Sequence, residues 1–428
     1  MNKSFFSLGV KNVLIFFALQ ILPLVIVAQE PNVWLYSGGS VTYEIDADSI
    51  AVEESDVPVF PGTKGLICLD RYINDTTTTD TEQVLYIDGK EVELIDPETG
   101  NKHRFLNAAV NDNGDLFILS NYYDGDDWSI RDYCLWKNGE IWWKETMTNY
   151  AGFYNDIIFD GDNVYTRCFK YENIYNNERN YYYKRNDENM VFYHSEVNEG
   201  GGVVKFTVYN DVVYYYLSRR ANWNGSGYHS LNSWSSWIMW HYIYDDIKGG
   251  RWITTPDFSY DSSFGTATIH KGQFYIAASK RTSVEKDEDG WYYWYNIILE
   301  DNNETIYEQY APSRIYFDKE DNMWVEGGLI DENEDGIDDY YGLETKGVHF
   351  WKNGSYYGRV LYQNLVTEDE TDTENVEQMF MCDNDFYAIM STPSWDDNGN
   401  QLRVKSALIR NEKTIWVIDG FISKVLFY

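Results

Sequence analysis

Apolar and polar positions along this chain follow a phrase that recurs about seven times, every ~50–60 residues. In each copy a small polar turn precedes a short, aromatic-rich apolar run. Asn113-Gly114-Asp115 leads into Leu116-Phe117-Ile118-Leu119, and Asp160-Gly161-Asp162-Asn163 into Val164-Tyr165. Asn210-Asp211 precedes Val213-Tyr214-Tyr215, and Lys271-Gly272-Gln273 precedes Phe274-Tyr275-Ile276. Met323-Trp324-Val325 and Phe386-Tyr387-Ala388 continue the series, and Leu66-Ile67-Cys68 is its first member. A unit of this length cannot bury its own apolar face and must stack on copies of itself.

Further along most copies comes a second hairpin on a tight turn. Cys134-Leu135-Trp136-Lys137-Asn138-Gly139-Glu140-Ile141-Trp142 recurs as His349-Phe350-Trp351-Lys352-Asn353-Gly354-Ser355-Tyr356-Tyr357, with a weaker copy at Leu85 to Val92. Asn-Gly and Asp-Gly supply the positive φ angles of a two-residue turn between antiparallel strands. Each unit therefore reads as four strands, and four-stranded units repeated around a ring predict an all-β single β-propeller. Tyr, Trp, Phe, Val and Ile dominate the periodic segments, as half-buried strands prefer, and no stretch after residue 30 holds a helical period. A β-solenoid has shorter coils, and separate sandwich domains would need linkers that the chain lacks. Seven blades fit the repeats best, with six and eight open. The apolar run Phe421 to Tyr428 needs a strand partner, and Val33 to Tyr43 reads as half a unit, so the two ends are expected to close the ring together.

Residues 1–28 stand apart. Lys3 and Lys11 precede a mostly apolar run, Val13 to Val27, that ends at Ala28. This is the pattern of a cleaved secretory signal. The apolar core, about 15 residues, is short of the about 20 that a membrane span needs. The expected mature domain is 29–428, secreted or periplasmic, with no membrane span and a monomer by expectation. The full chain carries a net charge of −35, about −37 once the signal is removed. Nucleic acid and anionic membrane surfaces would repel such a chain.

Cys68, Cys134, Cys168 and Cys382 have no metal spacing. Export permits disulfides; a Cys68–Cys382 bridge and buried free thiols are the two readings. The sharpest motif is Asp331-Glu332-Asn333-Glu334-Asp335-Gly336-Ile337-Asp338-Asp339. Its oxygens at alternate positions suit calcium, with Asp331, Asn333, Asp335 and Asp339 as side-chain ligands and the Ile337 carbonyl as a fifth. The run resembles the calcium loops of integrin-type propellers and thrombospondin type-3 repeats. That likeness covers nine residues and implies a structural cation, not an activity. Gly342 stands where an EF-hand would place its bidentate Glu, so the helix–loop–helix reading fails.

No nucleophile elbow, zinc-protease helix or phosphate loop is present, and the six histidines show no ligand spacing. No catalytic residue is assigned. His349 reads as strand packing. Two carboxylates of a hydrolase or lyase acting on carbohydrate could meet in space, but nothing in the sequence selects them. Binding has more support: Trp223, Tyr228, Trp234 and Trp237 lie in the longest variable insertion among Asn, Ser and Gly, and Trp291 and Trp294 follow another such turn. Rings with small polar neighbours suit adaptable recognition of a glycan or a protein, while packing between blades would use the same rings. The Trp136–Gly139 and Trp351–Gly354 hairpins resemble those of exported Bacteroidota propellers of uncharacterised function. That resemblance implies fold and export. The chain is thus read as an exported binding or scaffolding module, with a carbohydrate-active enzyme as the alternative.

Overall fold

The structure is a computed structural model that describes residues 58, 60, 64–73, 81–123, 130–148, 151–173, 178–196, 201–220, 239–245, 249–252, 267–286, 292–300, 303–307, 310–317, 320–330, 347–360, 375–382, 385–395, 401–410 and 413–428. These form twenty-eight strands and no helix. The first blade contains β1 (Gly65–Tyr72), β2 (Thr81–Ile87) and β3 (Lys90–Val92). The second has a two-residue β4 (Leu94–Ile95) ahead of β5 (Lys102–Val110), β6 (Leu116–Tyr122), β7 (Arg131–Lys137) and β8 (Glu140–Met147). The third is β9 (Gly152–Asp160), β10 (Asn163–Asn173), β11 (Glu178–Arg185) and β12 (Val191–Glu196). The fourth is β13 (Gly201–Tyr209), β14 (Val212–Arg220), β15 (Met239–Asp245) and β16 (Gly249–Trp252). The fifth is β17 (Ala267–His270), β18 (Gln273–Lys286), β19 (Tyr292–Glu300) and β20 (Asn303–Tyr307). The sixth is β21 (Tyr310–Phe317), β22 (Met323–Leu329), β23 (Val348–Lys352) and β24 (Ser355–Val360). The seventh begins with β25 (Asn375–Cys382), β26 (Asp385–Trp395) and β27 (Gln401–Arg410) and ends in β28 (Lys413–Phe427).

β28 serves two blades. Its residues Lys413 to Asp419 pair with β27, while Gly420 to Phe427 pair with β1 and supply the first blade's innermost strand. Among the described residues this makes seven four-stranded sets, every neighbour antiparallel, closed into a ring by the C-terminal strand. The N-terminal half-unit expected at Val33 to Tyr43 lies outside the described residues, as does the signal segment. Gly420 marks the crossing: a Cβ there would stand 2.4 Å from the Asp70 carbonyl oxygen. Only glycine lets the two backbones approach so closely.

The repeated apolar run is the second strand of each blade, and its composition follows from its place. In β1, Leu66 and Cys68 pack toward the second blade, while Ile67 and Leu69 pack toward the seventh. In β6, Leu116 and Ile118 face the first blade, and Phe117 and Leu119 the third. Both faces of the strand are core, so strict apolar–polar alternation gives way to continuous hydrophobicity. The ring's core is therefore a series of blade-to-blade interfaces and not one central mass.

The Asn-Gly turn has a second use. Asp88, Asn138, Asn186 and Asn353 adopt φ of 51°, 51°, 49° and 48°, which their short polar side chains tolerate. Each side-chain oxygen then accepts an N–H at the start of the blade's second strand: Gly65, Leu116, Val164 and Met323, at 2.9, 2.9, 2.9 and 2.8 Å. The turn residue thus ties the outer hairpin to the inner one.

Cys68, Cys134 and Cys168 are free buried thiols, so Cys68 makes no bridge to Cys382. Burial pushes each of the three up to about 12, which leaves no thiolate at neutral pH. No helix among the described residues is long and apolar enough to cross a membrane.

Candidate functional site

In an antiparallel four-stranded blade both tight turns lie at one end of the strands. The connections from second to third strand, and from blade to blade, leave from the other end. Trp223, Tyr228, Trp234 and Trp237 belong to the β14–β15 connection, Trp291 to β18–β19, and Asp331, Asn333, Asp335, Ile337 and Asp339 to β22–β23. All of these lie outside the described residues. Trp294 lies on β19, where its backbone pairs with Arg281. Among the described residues no group of three His, Cys, Asp or Glu could hold a metal ion.

The structure shows a different constellation on the innermost strands. β28, β5, β9, β13, β17 and β21 neighbour one another in that order around the axis, and β25 neighbours β28. In six of the seven blades the innermost strand loses register with its partner at or before mid-strand, on the side away from the tight turns. Such bulges re-aim side chains and are common beside functional sites. Here they turn Ser423, Leu106, Asn155 and Asp156, Ser313 and Glu377 out of the core, with Lys424, Asn107, Lys205 and Arg314 beside them, all exposed or half-buried.

The broken ladders are repaired locally. Ser423 and Ser313 donate their hydroxyl protons to the carbonyls of Cys68 and Glu326, each at 3.1 Å. The inner edges are stapled between blades: the Gln378 amide donates to Val425 O at 2.7 Å and accepts from Val425 N at 3.1 Å. Gln83 brackets Phe105 in the same way, and Asn107 donates to the Asn155 carbonyl at 2.6 Å. These amides satisfy main-chain groups that an unpaired inner edge would otherwise leave bare.

Charge is distributed unevenly in this ring. Asp156 pairs with the Arg167 guanidinium at 2.6 Å, and Arg167, only 6% exposed, also lies 4.0 Å over the Tyr154 ring. Glu377 accepts a hydrogen bond from the Ser391 hydroxyl. Arg314 sits 3.7 Å from Glu326, which accepts from the Tyr316 hydroxyl at 3.0 Å. Burial pushes the Glu326 carboxyl up, against the pull of Arg314 and Tyr316, and pushes the Tyr316 phenol well up. Lys205 and Lys424 have no ion pair among the described residues. Desolvation draws the half-buried Lys424 ammonium down to about 8; it also lowers that of Lys205, an exposed residue on which the Asp156 carboxylate acts in the opposite direction.

Ser120 and His103 come within 3.3 Å, but both are buried, and the Ser120 oxygen accepts from the Trp136 indole at 2.7 Å. No substrate reaches that pair. His349 is wholly buried in β23, where its Nδ1 lies 3.1 Å from the Tyr356 hydroxyl. It packs, as expected of it.

Sequence reasoning missed the bulge ring. A signal existed: Asp156, Lys205 and Gln378 stand four residues before the end of their strand, and Asn107 and Arg314 three, each interrupting an apolar run. Read one at a time, such positions are ordinary polar faces of strands.

No family model matches the chain, and none of the curated proteins does. Several solved structures are similar in shape. The subtype N11 neuraminidase-like protein of a flat-faced bat strain is 12% identical, covering 69% of this chain and 82% of that one, at a TM-score of 0.30. The sialidase of Trypanosoma rangeli is 8% identical, covering 74% and 57%, at 0.32. The apocarotenoid oxygenase of Synechocystis is 7% identical, covering 81% and 71%, at 0.33. At such scores the likeness carries no argument about activity. What stands is an all-β propeller of four-stranded blades.

Proposed function

We propose that this chain is an exported binding module whose glycan or protein ligand is met at the end of the propeller that carries its long connections. The observation behind this reading is the coincidence of level: six innermost strands slip register on the side away from the tight turns, with exposed or half-buried polar residues such as Ser423, Asn155, Asp156, Ser313 and Glu377 at the breaks. The aromatic insertion with Trp223, Tyr228, Trp234 and Trp237, Trp291 of the β18–β19 connection, and the acidic β22–β23 connection all belong to connections leaving that end, and Trp294 follows on β19. Aromatic planes beside small polar residues supply contact area at little entropic cost. Glycan and peptide arrays test the reading. Binding lost in Trp223→Ala and Trp234→Ala, with unchanged melting curves, supports it; no retained ligand on either array overturns it. Hydrolysis is the second reading, because Asp156 and Glu377 stand at the same level. Turnover of a polysaccharide, abolished by Asp156→Asn or Glu377→Gln, would replace binding with catalysis.

Calcium is assigned here to Asp331, Asn333, Asp335, Asp339 and the Ile337 carbonyl as a structural clamp. A ligand held only by the folded state at a hundred times its Kd adds about 2.7 kcal/mol. Melting in calcium is therefore expected several degrees above melting in chelator, and Asp335→Ala should erase the difference. Coincident wild-type curves would remove the assignment.

A further inference from the structure

Tight turns of neighbouring blades touch at the end of the ring opposite the long connections. Between blades three and four the donors are main-chain groups: the Asp160 carboxylate accepts the N–H of Asn210 and of Asp211, at 3.0 and 2.7 Å. Between blades five and six the donors are side chains. His270 Nε2 lies 3.0 Å from Asp321 Oδ1, and the Lys271 ammonium takes Asp321 Oδ2. The imidazole also lies flat on the Phe317 ring of β21, with centroids 4.0 Å apart and planes 6° from parallel.

Blade five depends on this contact more than its neighbours would. Its innermost strand β17 has four residues, all paired with β18, where the other innermost strands run eight or nine. So short a ladder opens locally with little loss of pairing. Two side-chain anchors tie β17 across to blade six: the Thr268 hydroxyl donates to the Ile315 carbonyl at 2.5 Å, and His270 meets Asp321. The first does not titrate. The second does, since histidine changes charge between pH ~5 and ~8.

We propose that His270 is an acid-strengthened latch that holds β17 against blade six. The neutral ring can donate from Nε2 in only one tautomer, whereas the imidazolium always donates there and carries charge to the carboxylate and to the Phe317 face. Asp321 stays ionised across this range, because the Lys271 ammonium and then the His270 hydrogen bond hold its carboxyl below the ordinary value. Lys271, on which the Tyr209 phenol of blade four also acts, opposes a second positive charge. Three carboxylates favour it: Asp321, Glu320 on the same turn, and Glu300, which accepts from the Tyr275 hydroxyl beside Phe317. The folded state therefore binds the histidine proton more tightly than the unfolded chain does. Stability gained in this way is complete in acid and fades as pH rises through the histidine range.

Amide exchange at Ala267–His270 in the full-length chain, corrected for the intrinsic pH dependence of exchange, tests the latch. Protection is expected to be about three-fold higher at pH ~5.5 than at pH ~8, the size of an exposed ion pair. The amides of β6 should show no such difference. His270→Gln should level the two values, and His270→Lys, charged at both, should hold the higher protection at both. The ring itself gives a second readout: the NMR titration midpoint of His270 should fall in Asp321→Asn, which keeps the shape of the turn and loses its charge. Equal protection at both pH values in the wild type would overturn the latch, as would a pH dependence that survives in His270→Gln. A His270 midpoint that stays or rises in Asp321→Asn would overturn it independently, with no need for the His270 variants to fold.

Discussion

Truncation after Gly420 is expected to leave a chain that does not fold. The residues removed are Phe421 to Tyr428, which include Ile422, Val425, Leu426 and Phe427, all buried. At about 1.5–3 kcal/mol for each buried side chain, these four represent roughly 6–12 kcal/mol of lost burial. The whole stability of a folded domain is about 5–15 kcal/mol. The truncation also leaves the β1 edge unpaired, frees the Gln378 amide from Val425 and uncovers the cores shared with the second and seventh blades. Near-ultraviolet circular dichroism should lose its fine structure, and size-exclusion chromatography should show aggregation through the bare edge. A truncated protein that melts cooperatively within a few degrees of the full chain would show that the ring does not depend on its closing strand. Gly420→Val is the milder form of the test, since its side chain would meet the Asp70 carbonyl and disturb the crossing without deleting the strand.

Asp96→Ala should be the most damaging single substitution at a polar site, lowering stability by about 3–5 kcal/mol as broken buried pairs do. Asp96 is wholly buried at the turn between β4 and β5. Its carboxylate accepts the Glu98 N–H and the Thr99 hydroxyl, each at 2.9 Å, and pairs with the Lys144 ammonium on β8. It thus anchors a two-residue strand to the outer edge of the second blade. Burial pushes this carboxyl up, but Lys144, the Glu98 amide and Thr99 together outweigh it and hold it at about 2. The folded value lies below the ordinary one, so the stabilisation is complete above pH ~4 and fades as pH falls toward ~2. Denaturant midpoints measured across that window should fall more steeply for the wild type than for Asp96→Asn. Parallel slopes, or a loss under 1 kcal/mol in Asp96→Ala, would show that Lys144 and the turn are held by other contacts.

The strands of this protein are legible because their pattern is local. A tight turn needs positive φ, so Asn138-Gly139 and Asn353-Gly354 announce outer hairpins, and the run after Asn113-Gly114-Asp115 announces an inner strand buried on both faces. The repeat length and the continuous hydrophobicity of Leu66 to Leu69 and of Leu116 to Leu119 required a ring of stacked units. The closing role of Phe421 to Tyr428 was also legible, because an apolar strand at a terminus needs a partner. Its described partner is β1, which the sequence marks only as one more second strand.

What remained hidden depends on two segments at once. Asp156, Lys205, Glu377 and Lys424 look like ordinary polar residues on strands, because a bulge is a slip between partners and neither partner records it alone. The pairing of Asp156 with Arg167 is likewise a property of two neighbouring strands, β9 and β10, of the third blade. The buried Asp96–Lys144 pair joins positions 48 residues apart that no spacing rule connects. The amino-acid sequence by itself determined the blade, the repeat and the ring, since φ preference and burial act residue by residue. The tertiary structure alone decided which charges meet and are neutralised, such as Asp156 with Arg167 and Asp96 with Lys144, since electrostatic pairing is set by distance in space.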